Sequence, residues 1–364
     1  QKDVYSRIEQ VIGEPSSTGL QSQLSELWAS WHDVANRPAD AAARTQLLSR
    51  ASTVAGSLGF AHDGLASLWG STREQLTASV ADVNQTAIAV ADLNGRIVLA
   101  TQAGLPANEL SDQRDKMVMR LSDATGATAR ARMDGGVDVL VSGSALVSGQ
   151  DVRKLEIVGA IGMDGQATDP PTVRWADTLN NAAITGGSVA STLESLNTTL
   201  PDAAAGLDVV AASLAQAVND QHHLGFDPSG AAGGDFFTGT TATTIAVAIT
   251  DPQAVAASGD ATSAYDGSNA TALANLAKDP VGTDATYRTY VASLGVSAQT
   301  INRRADIQNV ITQDVDAARI ASSGVSLDEE MTNMLQFQRA YEAAAKVMSV
   351  VDATLDTLIN GIKR

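Results

Sequence analysis

Cysteine is absent from all 364 residues of the chain, which excludes disulfides, thiolate nucleophiles and cysteine metal ligands together. Aromatic residues make up only 4%, although hydrophobic residues reach 44%, so much of the apolar content is alanine, as in Ala41-Ala42-Ala43 and Ala343-Ala344-Ala345. Such tracts favour close helix packing over a bulky centre and predict a thin, elongated core. Basic residues are few, 24 against 41 acidic, for a net charge of -17. The densest basic run is Arg303-Arg304, so neither nucleic acid nor an anionic membrane is an expected partner. No stretch approaches the roughly 18 apolar residues of a spanning helix, and no membrane insertion is expected. The opening Gln1-Lys2-Asp3-Val4 is no signal peptide. It reads as the middle of a helix, with Val4, Ile8, Val11 and Ile12 at helical spacing, and natural sequence is expected to precede it.

The chemistry of an active site is equally sparse. Four histidines stand at 32, 62, 222 and 223. His222-His223, near Asp220 and Asp227, lacks a third ligand at motif spacing, and a hydrogen bond from His222 to a loop backbone is the expected role. Gly186-Gly187-Ser188 lacks the lysine and spacing of a phosphate loop and reads as a helix start. Asp227, Ser229 and Asp235 fall short of a calcium loop, and no serine lies in a GxSxG elbow. No catalytic residue, cofactor or metal is expected, and the chain is read as a non-enzymatic assembly subunit.

What the sequence does contain is helical periodicity. Leu20, Leu24, Leu27, Trp28 and Trp31 return every three or four residues until Asn36-Arg37-Pro38. Asp40 is placed to cap a second helix through Leu58, and a third is predicted from about Gly64 to Ala103. In that third helix Trp69, Leu76, Val83, Val90 and Ile97 lie seven apart, with Thr72, Ser79, Thr86 and Leu93 between them. A short helix follows at Leu110 to Leu121. Near residue 127 the period changes: Val137, Val139 and Val141 alternate with Asp138 and Leu140, and Leu155 to Ile161 offers another strand. Helices return at Ser188 to Leu200 and across Leu207 to Val218, separated by Pro201-Asp202. A turn-rich stretch follows, with one strand at Thr244 to Thr250.

The strongest pattern closes the chain. A helix is predicted from Tyr287 to Ile320, and Gly324 breaks it. Ser326 and Glu329 form a capping box for the next helix. Beyond it Met334, Phe337, Tyr341, Ala344, Met348, Val351, Leu355, Leu358 and Ile362 alternate spacings of three and four, flanked by Gln336, Gln338 and Arg339. A helix over 327–360 extends roughly 50 Å at 1.5 Å per residue. At about 1 kcal/mol per partly buried side chain, so long a one-sided stripe is a large association tendency that calls for a neighbouring helix.

The same region carries a resemblance. Ser323-Gly324-Val325-Ser326-Leu327-Asp328-Glu329-Glu330-Met331-Thr332-Asn333, the following Leu335-Gln336-Phe337-Gln338-Arg339-Ala340-Tyr341 and the closing Asp352-Ala353-Thr354-Leu355-Asp356-Thr357-Leu358-Ile359-Asn360 resemble the terminal domain of bacterial flagellar rod, hook and hook-associated proteins. Asn108-Glu109-Leu110-Ser111-Asp112-Gln113-Arg114-Asp115 resembles the N-D-L-x-D-Q-R-D segment of the hook-associated protein 1 family. Asn219-Asp220-Gln221-His222-His223-Leu224-Gly225-Phe226-Asp227, with Gly233-Gly234-Asp235-Phe236-Phe237, resembles that family's N-x-Q-H-x-x-G-x-D … G-G-D-F-F region. The resemblance implies a secreted structural subunit at the hook–filament junction, in a ring of about eleven copies. Its implied partners are other copies of itself, the hook protein, the second junction protein and an export chaperone before secretion.

The fold class so expected is α+β, an elongated multi-domain protein. A helical, coiled-coil-like domain from both chain ends (1–126 and 287–323) carries a β-rich outer domain over 127–286, with helices at 188–222. A terminal coiled-coil-like helix occupies 324–364, its extreme N-terminal partner helix missing. The outer part after Phe237 is expected to be reduced. Ion pairs from Asp112, Arg114 and Asp115 are expected to reach another helix. The competing readings are a secreted enzyme or adhesin displayed on a helical shaft, which needs a deep polar pocket with convergent titratable groups, and an intracellular coiled-coil adaptor.

Overall fold

The computed structural model describes residues 1–323 and 327–362, with side chains described through 321 and over 331–358. The Ser326 and Glu329 capping box lies outside the described residues, as does the Ile362 side chain. The fold is α+β, with two compact units, Gln1–Ile301 and Asn302–Arg364.

The first unit is organised by α3, Ala41–Gln102, a single helix of 62 residues. It is preceded by α1 (Lys2–Ile12) and α2 (Leu20–Asn36) and followed by α4 (Asn108–Thr125). Asp40 does cap α3, its carboxylate accepting the Ala42 N–H at 2.9 Å. The heptad positions Trp69, Leu76, Val83, Val90 and Ile97 are all buried, as are Thr72, Thr86 and Leu93. Their cover comes from the same unit, since α2, α4 and the later elements pack along α3.

The break expected between Leu58 and Gly64 does not occur. Gly59 and Gly64 sit inside the helix, where a glycine costs about 1 kcal/mol relative to alanine. Gly64 makes room for a neighbour: a Cβ there would stand 2.8 Å from Val11 Cγ1, whereas at Gly59 a Cβ would meet the Ala242 carbonyl only at an ordinary 3.4 Å. A glycine that admits a neighbour resembles, in sequence, a glycine that ends a helix.

After α4 come β1 (Thr128–Ala131), β2 (Val137–Val141), β3 (Ser144–Ser148) and β4 (Asp151–Val152), an antiparallel sheet in sequential order. Strands β5 (Leu155–Val158) and β6 (Thr172–Trp175) form a separate antiparallel hairpin. Asp138 is not on a solvent face of β2, as strict alternation requires, but is buried. It accepts from Arg130 at 2.9 Å, Arg132 at 3.0 Å and the Gly149 N–H at 3.1 Å. The Arg130 hydrogen bond, opposed by burial and reinforced by Arg132, holds its carboxyl below the usual range.

Next come α5 (Gly187–Glu194), a π-turn over Ser195–Thr199 and α6 (Leu200–His222). Pro201 does not separate two helices, because the π-turn absorbs it. In an α-helix the Asn197 carbonyl would accept from residue 201, which has no N–H. That carbonyl accepts instead from Gln166 Nε2 at 3.0 Å, and the neighbouring Leu196 carbonyl from Trp69 Nε1 at 2.8 Å. The short hairpin β7 (Phe237–Thr238) and β8 (Ala246–Val247) is all that forms of the strand expected over 244–250, and α7 (Ser268–Asn275) packs on α2.

The helix α8, Thr283–Ser323, begins in the first unit. Asp284 in its first turn accepts from Trp28 Nε1 at 2.6 Å and Gln21 Nε2 at 3.1 Å, which ties α8 to α2. Its later residues and α9, Leu327–Ile362, make up the second unit.

One side chain joins α3 to the sheet. Asn94 is buried, donates to the carbonyls of Val137 (2.8 Å) and Gly149 (2.7 Å), and accepts the Val137 N–H at 3.0 Å. Asn94→Ala strands these groups at about 1–3 kcal/mol for each one left unsatisfied. The urea-unfolding midpoint of the first unit should fall accordingly, and a midpoint unchanged from wild type would remove the sheet's anchor from this account.

Candidate assembly interface

Helix α9 follows from its sequence with little strain: the interior has no proline, and its only interior glycine, Gly361, falls in the last turn. Met334, Phe337, Tyr341, Ala344, Met348, Val351, Leu355 and Leu358 are all exposed, Phe337 at 76% and Tyr341 at 78%. At roughly 100° per residue they form one stripe that drifts about 20° per heptad around the axis. Gln336 and Gln338 fall on its two flanks, whereas Arg339 falls on the far side; all three are exposed. Two residues beside the stripe, Val347 and Val350, are apolar and exposed as well. The sequence reading left them out because they break the three-four spacing.

The part of α8 beyond Asn302 adds Ile307, Val310, Ile311, Val315 and Ile320, again exposed. Among the described residues of the second unit, none is buried. A folded segment that buries nothing of its own gains no hydrophobic stabilisation from itself.

The two family-like motifs in the first unit serve the fold. Arg114 is buried on α4, pairs with the adjacent Asp115 at 2.9 Å and donates to the Gly135 carbonyl at 2.9 Å. It therefore ties α4 to the β1–β2 turn and not to another helix. Asn219, on α6, accepts the N–H groups of Phe236 and Phe237 at 2.9 and 2.8 Å and donates to the Phe237 carbonyl at 2.8 Å. His222 is fully buried against Phe236 (ring centroids 5.5 Å), and Phe236 in turn meets Trp31 at 5.1 Å.

The backbone decides the His222 tautomer. The Ala256 N–H can only donate, so Nε2 accepts it at 2.8 Å and Nδ1 carries the proton given to the Gly234 carbonyl at 2.7 Å. Burial lowers its pKa below the ordinary histidine value, partly countered by the Gly234 bond. His223 turns outward to Asp235 at 2.9 Å. Among the described residues no group of three or more His, Asp or Glu could hold a metal, and no helix is long and apolar enough to cross a membrane. Sequence reasoning missed Arg44, which is buried and donates to the carbonyls of Pro38 (2.9 Å) and Val255 (2.6 Å), and nothing in its spacing marks it.

The profile described as the flagellar hook-associated protein FlgK helical domain matches residues 5–237, ending on the Phe236-Phe237 pair that Asn219 holds. Flagellar hook-associated protein 1 of Bacillus subtilis is 30% identical over 98% of this chain and 79% of its own length. The chain belongs to the flagellar hook-associated protein 1 family. The Escherichia coli member is 25% identical over 98% of the chain and 83% of its own length. That alignment runs over 462 positions against 364 residues here, so the relative carries insertions. The C-terminal profile of flagellar basal body rod proteins matches residues 317–361, which takes in most of α9. The solved structure of the flagellar hook junction protein FlgK from Burkholderia pseudomallei shares this fold. Its TM-score is 0.75 at 18% identity, and the match covers 89% of this chain and 97% of that one.

For this member of the family the buried imidazole gives a pH test. Native His222 titrates below about 6.5 and the unfolded residue at about 6.5, so the unfolded state binds more protons in between. Its contribution is complete above pH 6.5 and declines as the pH falls toward the native value. The unfolding midpoint should drop between pH 7 and pH 5, and His222→Asn should lower it at pH 7 while flattening that dependence. An equal slope in the two proteins would contradict the buried neutral tautomer.

Proposed function

We propose that the chain is the secreted structural subunit of the junction between flagellar hook and filament, built into place by self-association. Family membership over nearly the whole chain supports this, and the single observation that carries it is the uncovered apolar stripe of α9. A junction subunit must travel as a soluble monomer and order itself only among its neighbours. Helices that bury nothing alone and much in company meet both needs. The net charge of -17 keeps the monomers apart until then.

In this reading Met334, Phe337, Tyr341, Ala344, Met348, Val351, Leu355, Leu358 and Ile362 form the assembly seam, with Gln336 and Gln338 as its polar edges. The partners are copies of the chain itself in a ring of about eleven, the hook protein, the second junction protein and, before secretion, an export chaperone that shields the seam. The functional division follows the sequence: helical over 1–126 and 287–323, β-rich and outward over 127–286, terminal helix over 324–364. All described strands, β1 to β8, fall within 127–286.

Phe337→Asp combined with Leu355→Asp places two charges in the seam. In cells lacking the natural gene, this variant should leave hooks without filaments by electron microscopy, while the first unit of the purified chain unfolds at its normal midpoint. Filaments of normal number would contradict the proposal.

A further inference from the structure

Asparagine is followed by glycine at two places in the chain, Asn94-Gly95 and Asn360-Gly361. Where the next residue has no side chain, nothing shields its backbone nitrogen, and such a pair closes readily into a succinimide with loss of the side-chain amide. The first pair includes the residue that fastens α3 to the sheet. Asn94, 1% exposed, donates to the Val137 and Gly149 carbonyls and accepts the Val137 N–H.

Each half of this pair has its own reason. Asn84, earlier on α3, makes the same two-way bond to Leu155, accepting its N–H at 2.9 Å and donating to its carbonyl at 2.8 Å, and it is followed by Gln85. The clamp therefore does not call for glycine. Gly95 is buried for a different neighbour: a Cβ there would stand 3.0 Å from Gln150 Cδ, tighter than ordinary contact. Two separate fits thus put a labile pair in the core.

The native fold holds both reacting groups. Cyclisation needs the Gly95 nitrogen at Asn94 Cγ, yet within α3 the Gly95 N–H is committed to the Ala91 carbonyl, and the Asn94 amide is bound to the sheet. In an unfolded chain neither restraint exists. The products do not fit the fold. A carboxylate at position 94 has no proton to give the Val137 and Gly149 carbonyls. It would also share Gly149 with Asp138, whose carboxylate already occupies Arg130, Arg132 and the Gly149 N–H. A second buried carboxylate there faces carbonyl oxygens and a like charge, with both cations taken. Isoaspartate lengthens the backbone by one carbon and breaks the hydrogen-bonded ring of the helix.

We infer that Asn94-Gly95 is a self-modification site gated by folding: closed in the native chain, reactive in the unfolded one, with a product barred from refolding. The Gly95 nitrogen bonds to Asn94 Cγ as the Cγ–Nδ2 bond breaks, and the Gly95 N–H proton leaves with the amide as ammonia. Water then opens the ring at Cγ to give aspartate, or at the Asn94 carbonyl carbon to give isoaspartate. A chain that lingers unfolded removes itself from the pool able to fold. The inference rests on the first unit and goes beyond the junction reading, whatever α9 packs against.

To test it, the full-length chain is aged at neutral pH in native buffer and in urea, then digested with trypsin. Conversion of Asn94 is read by mass spectrometry in peptide 74–96, where Asn84 serves as the internal control. Asn94 should convert at least about tenfold faster in urea than in native buffer, with Asn84 far behind in both. The urea-aged sample is then returned to buffer and the folded monomer isolated by size exclusion. Converted Asn94 should be depleted from that fraction, whereas converted Asn360, which lies in the second unit, should not. Equal rates for Asn94 in the two conditions would overturn the gate. Converted Asn94 retained in the folded monomer as fully as converted Asn360 would overturn the bar to refolding.

Discussion

An apolar stripe along a long helix must be covered, and the molecule answers that constraint in two ways. In the first unit the stripe of α3 is sealed by α2, α4 and α6 and by the strands, so Trp69, Leu76, Val83, Val90 and Ile97 are all buried. In the second unit the comparable stripe of α9 is exposed from Met334 to Leu358. The same sequence pattern is thus buried as core in one place and left exposed in the other. What differs is whether the chain supplies the second face.

Sealing the first unit takes more than apolar contact, because long helices, short hairpins and turns leave many backbone groups facing inward. Asn94, Asn219, His222, Arg44 and Arg114 each reach from a helix into a loop or strand and satisfy groups that would otherwise be buried alone. A unit closed in this way can present stable outer surfaces.

Much of this was legible in the sequence wherever a period was long. The α3 stripe, the helix after Asp40, the strand at Val137 and the whole of α9 follow from spacing, because burial on one side imposes a repeat that no local exception hides. The failures share a different cause. Two helices were expected on either side of Leu58–Gly64, yet α3 runs through, and Gly64 admits Val11, a partner far away in the chain. Pro201 was read as a divider, yet Gln166 satisfies the carbonyl it strands. The alternation through Asp138 does not tell that its carboxylate is buried and paired with Arg130 and Arg132. Each depends on a residue that no window around the site contains. The family motifs were visible as strings, but their role in holding loops to α6 could be seen only once Phe236, Gly234 and Ala256 lay around His222.

The central claim is that α9 gains its order from other protein and not from its own chain. Hydrogen exchange of the α9 amides, measured in the free full-length chain and in intact flagella, tests it most directly. The account predicts exchange near the unprotected rate across 331–358 in the free chain and strong protection after assembly. Strong protection of those amides in the free monomer would contradict it.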